Sequence, residues 1–94
     1  MALSAFALEV MRGSLADRVA ATELQTLLET HAGGTLSQYT KNILRNFFGS
    51  RSDATAFITA VEASTALAAT LQAKLGQALG NHSVAAAIEA ELVA

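Results

Sequence analysis

Apolar side chains recur along this chain at helical spacing, and glycines interrupt the pattern. Leu3, Phe6, Ala7, Val10 and Met11 fall on one stripe, which predicts a first helix over 2–12 that stops at Gly13. Ser14 is positioned to cap a second helix, with Asp17 in its first turn where the N-terminal partial charge favours an anion. That helix turns Val19, Ala20, Leu24, Leu27 and Leu28 inward and ends at Gly33 and Gly34. Thr35 and Gln38 stand in a capping-box arrangement, each side chain placed to satisfy a backbone N–H of a third helix. Leu36, Tyr39, Ile43 and Phe47 share one face of it, Leu44 and Phe48 lie beside them, and Gly49 closes it. No strand-type alternation competes.

The next segment is the longest. Ser50 with Asp53, or Ser52 alone, caps a helix whose composition persists to Leu79, where Gly80 and Asn81 supply a stop. Asn81 or Ser83 then caps a last short helix bearing Val84, Ala87, Ile88 and Leu92. The expected fold is all-α: one domain over 1–94, a bundle of four to five helices with one long Ala-rich helix near 53–79. From Ala54 to Leu79 only Glu62 and Lys74 are charged, so the outward face is Ala, Thr, Ser and Gln and costs little to bury. A seam of alternating four- and three-residue steps runs through Phe57, Val61, Ser64, Ala68, Leu71, Leu75 and Ala78, the spacing of helix-on-helix packing. Phe57, Val61, Ala68, Leu71 and Leu75 are the expected protein interface. An unbroken helix here would span about 39 Å, against about 32 Å for the diameter of a globule of this size. It must bend near Ser64 and Thr65 or near Gly76, or rest its free end on another chain, and the scarcity of charge favours another chain.

Composition sharpens this picture. Apolar residues make up 52% of the 94, but 21 are Ala and five are aromatic, so the core is built from modest side chains. Charged residues are 15%, below the roughly 25% usual for soluble chains, which points to surface buried against a homo-oligomeric or other protein partner. The formal charge of −2 gives no general attraction for phosphate. With no Cys, disulfide scaffolds and thiolate metal sites are excluded. The stretch from Met1 to Met11 has no basic residue ahead of it and Arg12 behind it, unlike a signal peptide. Glu62, Gln72 and several Thr and Ser interrupt the most apolar window, 54–73, so no membrane span is expected. The chain reads as soluble, with the cytoplasm or a virion as its expected location.

Few residues suit catalysis. His31 and His82 are the only histidines, too few for a zinc site that needs three or four ligands. Ser14, Asp17 and His31 lie along one helix and do not converge as a triad. Glu89 and Glu91 are two apart, on different helix faces, and form no acid and base pair. Gly33 and Gly34 precede a helix start but lack a phosphate-loop lysine. The expectation is a non-enzymatic protein without catalytic, metal or cofactor-binding residues.

Lys41, Arg45 and Arg51 form the one basic concentration, a candidate face for anions or nucleic acid. Leu36-Ser37-Gln38 after a helix and a glycine turn resembles the opening of the recognition helix in bacterial helix-turn-helix repressors. On that resemblance Lys41 stands where a buried Val or Ile belongs and His31 where a small Ala belongs. Phe47-Phe48-Gly49-Ser50-Arg51-Ser52-Asp53-Ala54 resembles the bend of the secreted WXG-motif helical-hairpin family, with Phe47 in place of the Trp. That resemblance implies two long helices and dimerisation with a like partner. The functional expectation is a helical protein-protein interaction or assembly protein, such as a small subunit, adaptor or inhibitor, viral or bacterial. The alternatives are a DNA-binding regulator and a WXG-like hairpin protein.

Overall fold

The computed structural model describes residues 3–30 and 34–93. Among them are six helices and no strand: α1 (Ala5–Leu15), α2 (Arg18–Thr30), α3 (Gln38–Phe48), α4 (Arg51–Ala63), α5 (Ala69–Leu79) and α6 (His82–Leu92). The all-α expectation holds, but six helices replace the four to five foreseen. The long helix is two, because Ser64 takes the left-handed conformation at φ 55° and ends α4, and α5 starts only at Ala69. A 39 Å rod does not fit a molecule whose longest extent is 29 Å. Breaking it folds the second half back, so that Leu67, Leu71 and Leu75 enter the core.

The six helices form three hairpins that repeat one plan. Each opens with a buried leucine, Leu3, Leu36 or Leu67, immediately before the residue that starts the first helix, Ser4, Ser37 or Ala68. Each turns through a two-residue connection: Ala16–Asp17, Gly49–Ser50 and Gly80–Asn81. The first residue of each connection is left-handed, with φ of 55°, 67° and 71°, and satisfies a carbonyl of the helix just finished. The second residue caps the helix about to start. Asp17 Oδ1 accepts from the N–H of Ala20 at 2.9 Å, Ser50 Oγ from Asp53 at 3.4 Å, and Asn81 Oδ1 from Val84 at 3.0 Å.

The buried positions keep the same register. Ala7, Thr40 and Leu71 correspond, as do Met11, Leu44 and Leu75, then Ala21, Ala54 and Ala85, Leu24, Phe57 and Ile88, and Leu28, Val61 and Leu92. Thr40 is the one polar member of these sets, and its hydroxyl lies 3.2 Å from Ser37 Oγ. The hairpins close on themselves rather than stacking in an open row. α1, α3 and α5 touch one another pairwise, and α6 of the third hairpin reaches both α1 and α2 of the first. Ser14 Oγ donates to the carbonyl of Leu79 at 3.2 Å, tying the first hairpin to the third. The repeated core positions meet at the centre, where Met11, Leu24, Leu44, Phe57, Leu75 and Ile88 enclose a residual void.

Each leading leucine carries its backbone N–H into the protein, and a glutamate of the same hairpin receives it. Glu29 Oε2 accepts from Leu3 at 3.0 Å, Glu62 Oε2 from Leu36 at 2.8 Å, and both oxygens of Glu89 from Leu67 at 3.0 and 3.2 Å. Glu62 adds a second hold, because its carbonyl accepts from the N–H of Gly34 at 3.2 Å.

Several boundaries differ from the sequence reading. Gly13 lies inside α1, which continues to Leu15, so Ser14 caps nothing and Asp17 does. Ser37, not Thr35, caps α3, its hydroxyl accepting from Thr40 N–H at 3.3 Å. Phe6, Val19 and Tyr39 are exposed at 60%, 58% and 53% rather than turned inward. For Phe6 the reason is that Leu3 ahead of α1 and Ala7, Met11 and Leu15 within it form a buried stripe of strict four-residue steps, narrower than the one drawn from the sequence. His31 and Gly33 lie outside the described residues.

Replacing Glu62 by Ala strands the Leu36 N–H, and the expected loss is about 1–3 kcal/mol, or about 4–8 °C of melting temperature per kcal/mol at this size. Glu62→Gln, which keeps an acceptor, loses less. Glu9→Ala, at an exposed site on α1, stays within about 0.5 kcal/mol. Chemical denaturation of the three variants checks the order, and equal losses for Glu62→Ala and Glu9→Ala would remove the role given to the carboxylate.

Candidate interaction surface

The residues singled out from sequence separate into two environments. Phe57 and Val61 are fully enclosed, Leu75 is 1% exposed and Leu71 7%, all within this chain's own core. Phe57 lies against Phe48 with ring centroids 5.3 Å apart. The continuous seam is therefore divided between α4 and α5, and its large members are occupied internally. Ala68 alone among the five is exposed.

Around Ala68 runs a groove of about 480 Å³ between α4, the 64–68 connection and the start of α5. Its exposed walls come from Ala56, Thr59, Thr65, Ala66, Ala68 and Thr70, and Leu67 and Leu71 form the buried floor. Asp53 is the charged residue of the lining, and Lys74 Nζ pairs with its Oδ2 at 3.1 Å. α5 begins without a side-chain cap, because Ala68 stands where the first and third helices have Ser4 and Ser37. The corresponding junction between the first two hairpins is tighter, a cleft of about 220 Å³ lined by Thr22, Glu23, Thr26, Leu27, Thr35 and Leu36. There Glu23 fills the space: its carboxylate accepts from the Ser37 N–H and the Ser37 hydroxyl, both at 2.9 Å. By register its counterpart at the second junction is Ala56, and that of Leu27 is Ala60.

Lys41, Arg45 and Arg51 differ in availability. Lys41 Nζ lies 3.7 Å from Glu62 Oε2. Arg45 is half-buried, donates from Nη1 to Asn42 Oδ1 at 3.1 Å, and encloses Nε without a partner. Arg51 is exposed as the first residue of α4. The bend at Phe47–Ala54 does join two helices, as the WXG resemblance implies. They have 11 and 13 residues rather than being long, and the bend is one of three equivalent turns.

His82 is exposed at the start of α6, its ring laid over Gly76 of α5, where an added Cβ would collide with Nδ1. No group of three or more His, Asp or Glu able to hold a metal occurs among the described residues. Nor is any described helix long and apolar enough to cross a membrane.

Two carboxylates are held more acidic than usual. The Ser37 N–H, ahead of the Ser37 and Thr40 hydroxyls, lowers Glu23. The Tyr39 hydroxyl, ahead of the Ala20 N–H, lowers Asp17, and the same bond raises the Tyr39 phenol. A depressed carboxylate stabilises the fold above its unfolded value, and that contribution disappears as pH falls through the folded value. For Glu23 the ordinary value is 4.5 and for Asp17 it is 3.8, so the loss belongs to the acid side of those values. Glu23→Gln is expected to flatten the acid limb: between pH 7 and about pH 3, its urea midpoint falls less than that of the parent chain. An equal fall in both proteins would show that Glu23 contributes nothing to the pH dependence.

Sequence patterning alone misses the repeat and the acceptor roles of Glu23, Glu29, Glu62 and Glu89, although a signal exists. Leu3-Ser4 recurs as Leu36-Ser37, Arg12 and Arg18 as Arg45 and Arg51, and Glu29 as Glu62, each displaced by 33 positions. Comparison with family models, with curated proteins and with solved structures found no match.

Proposed function

We propose that this chain is a non-enzymatic helical interaction protein, a small subunit or adaptor that assembles with further copies of itself through the α4–α5 face. One observation carries the reading: the groove beside Ala68 is walled by small side chains, Ala56, Thr59, Thr65, Ala66 and Thr70, and its one charged residue, Asp53, is neutralised by Lys74. Such side chains lose little conformational entropy on burial and leave few charges to desolvate. They also let a partner backbone approach closely.

The test uses a site that does not belong to the core. Ala68→Glu places a carboxylate in the groove at the start of α5, where the helix tolerates an anion, so helix content by circular dichroism stays unchanged. Light scattering over a concentration series is expected to show the parent chain rising above its monomer mass of 9.7 kDa and the variant remaining there. A parent mass constant at 9.7 kDa overturns self-assembly, and a variant that still associates removes this face from it.

A further inference from the structure

The four arginines are sorted by the repeat. Arg12 and Arg45 lie in the last turn of α1 and α3, and Arg18 and Arg51 are the first residues of α2 and α4. One pair therefore brackets the turn of the first hairpin and the other the turn of the second. Among the described residues the carboxylate ion pairs fall to Lys41 and Lys74, and to no arginine.

Folding does not account for two of these positions. A cation on the first residue of a helix faces the partial positive charge of that terminus, which is unfavourable. Arg18 and Arg51 both occupy it, and both are exposed. Arg45 is set from the other side of its turn, with its stem half-buried and Asn42 as its one hydrogen-bond partner. The turns differ in what lies between the arginines. Asp17 sits in the first, already engaged by Ala20 and Tyr39. Ser50 sits in the second, and Asp53, the nearest acid along α4, is engaged by Lys74.

We propose that the Arg45–Arg51 turn, supported by the Arg12–Arg18 turn, docks an acidic protein segment, each arginine pair receiving one Asp or Glu carboxylate. Guanidinium groups suit this because their planar donors match a carboxylate in a bidentate fashion, which an ammonium does not. A protein segment fits better than nucleic acid: six cations against eight acids, with two of the six already paired, give no continuous positive track for a phosphate backbone. The proposal goes beyond the α4–α5 assembly face and uses different residues, so either can fail alone.

The probe is fluorescein-labelled deca-glutamate, titrated with the full chain at low ionic strength and followed by anisotropy. Arg45→Gln with Arg51→Gln is expected to weaken binding at least about tenfold, and Arg51→Gln alone, at an exposed site, by several-fold. Lys41→Gln, on the same helix as Arg45 but ion-paired, is expected to change it less than about twofold. The melting temperature of Arg51→Gln holds or rises, since a cation leaves a helix N-terminus. Absence of binding, or equal weakening by Lys41→Gln, overturns the proposal. So does tighter binding of a labelled DNA duplex with the same arginine dependence, which would assign the surface to nucleic acid.

Discussion

A leucine buried ahead of a helix takes its backbone N–H out of water, and that donor must find an acceptor inside the protein. In this chain the requirement arises at Leu3, Leu36 and Leu67, and it is met each time by a glutamate carboxylate from the second helix of the same hairpin. The bond fixes more than one donor. It sets where the chain enters the first helix relative to the second, and so which residues of both face inward. Given that register, the leading leucine lies over the core, the next residue starts the helix, and the four-step apolar stripe follows.

Small side chains make the closure of three such hairpins possible. Ala7, Ala20, Ala21, Ala54 and Ala85 are essentially fully buried, and their size lets helix backbones approach closely. Larger residues fill the centre left between them, Phe57 being the bulkiest of the fully enclosed. The abundance of Ala thus has an internal use as well as an external one. It builds the close approach of helices inside the ring and leaves a neutral face outside, between α4 and α5.

The hairpins differ at their junctions and turns, the places the core constrains least. The first junction keeps a carboxylate, Glu23, on the start of α3, whereas the second has Ala56 and an open groove. The first two turns keep arginines on both sides, whereas the third has Gly76 and His82 lying against each other. Candidate function therefore follows the departures from the repeat, and stability follows what the repeat retains.

Helical periodicity and side-chain caps were legible in the residues themselves, because both are local. Caps and glycine stops depend on a few neighbouring atoms: Gly49 and Gly80 end their helices as the sequence implies, and of the two cap candidates offered at each following helix the structure uses Ser50 and Asn81. Ser64 and Thr65 are one of two places where the sequence allows a bend, Gly76 being the other, and tertiary packing decided for Ser64. A serine in the left-handed conformation is locally unfavourable, and nothing in Ala54–Leu79 forces a stop. The helix ends there because Leu67 gains burial and Glu89 waits to receive its N–H from 22 positions away. The same reasoning covers Gly13, a residue that weakens helices yet is carried within α1 because Met11 and Leu15 on either side are anchored in the core. Neighbouring residues determine which segments are helical and where a cap or glycine stops them; contacts between distant residues decide the remaining ends, at Ser64 and past Gly13, and which faces stay in water.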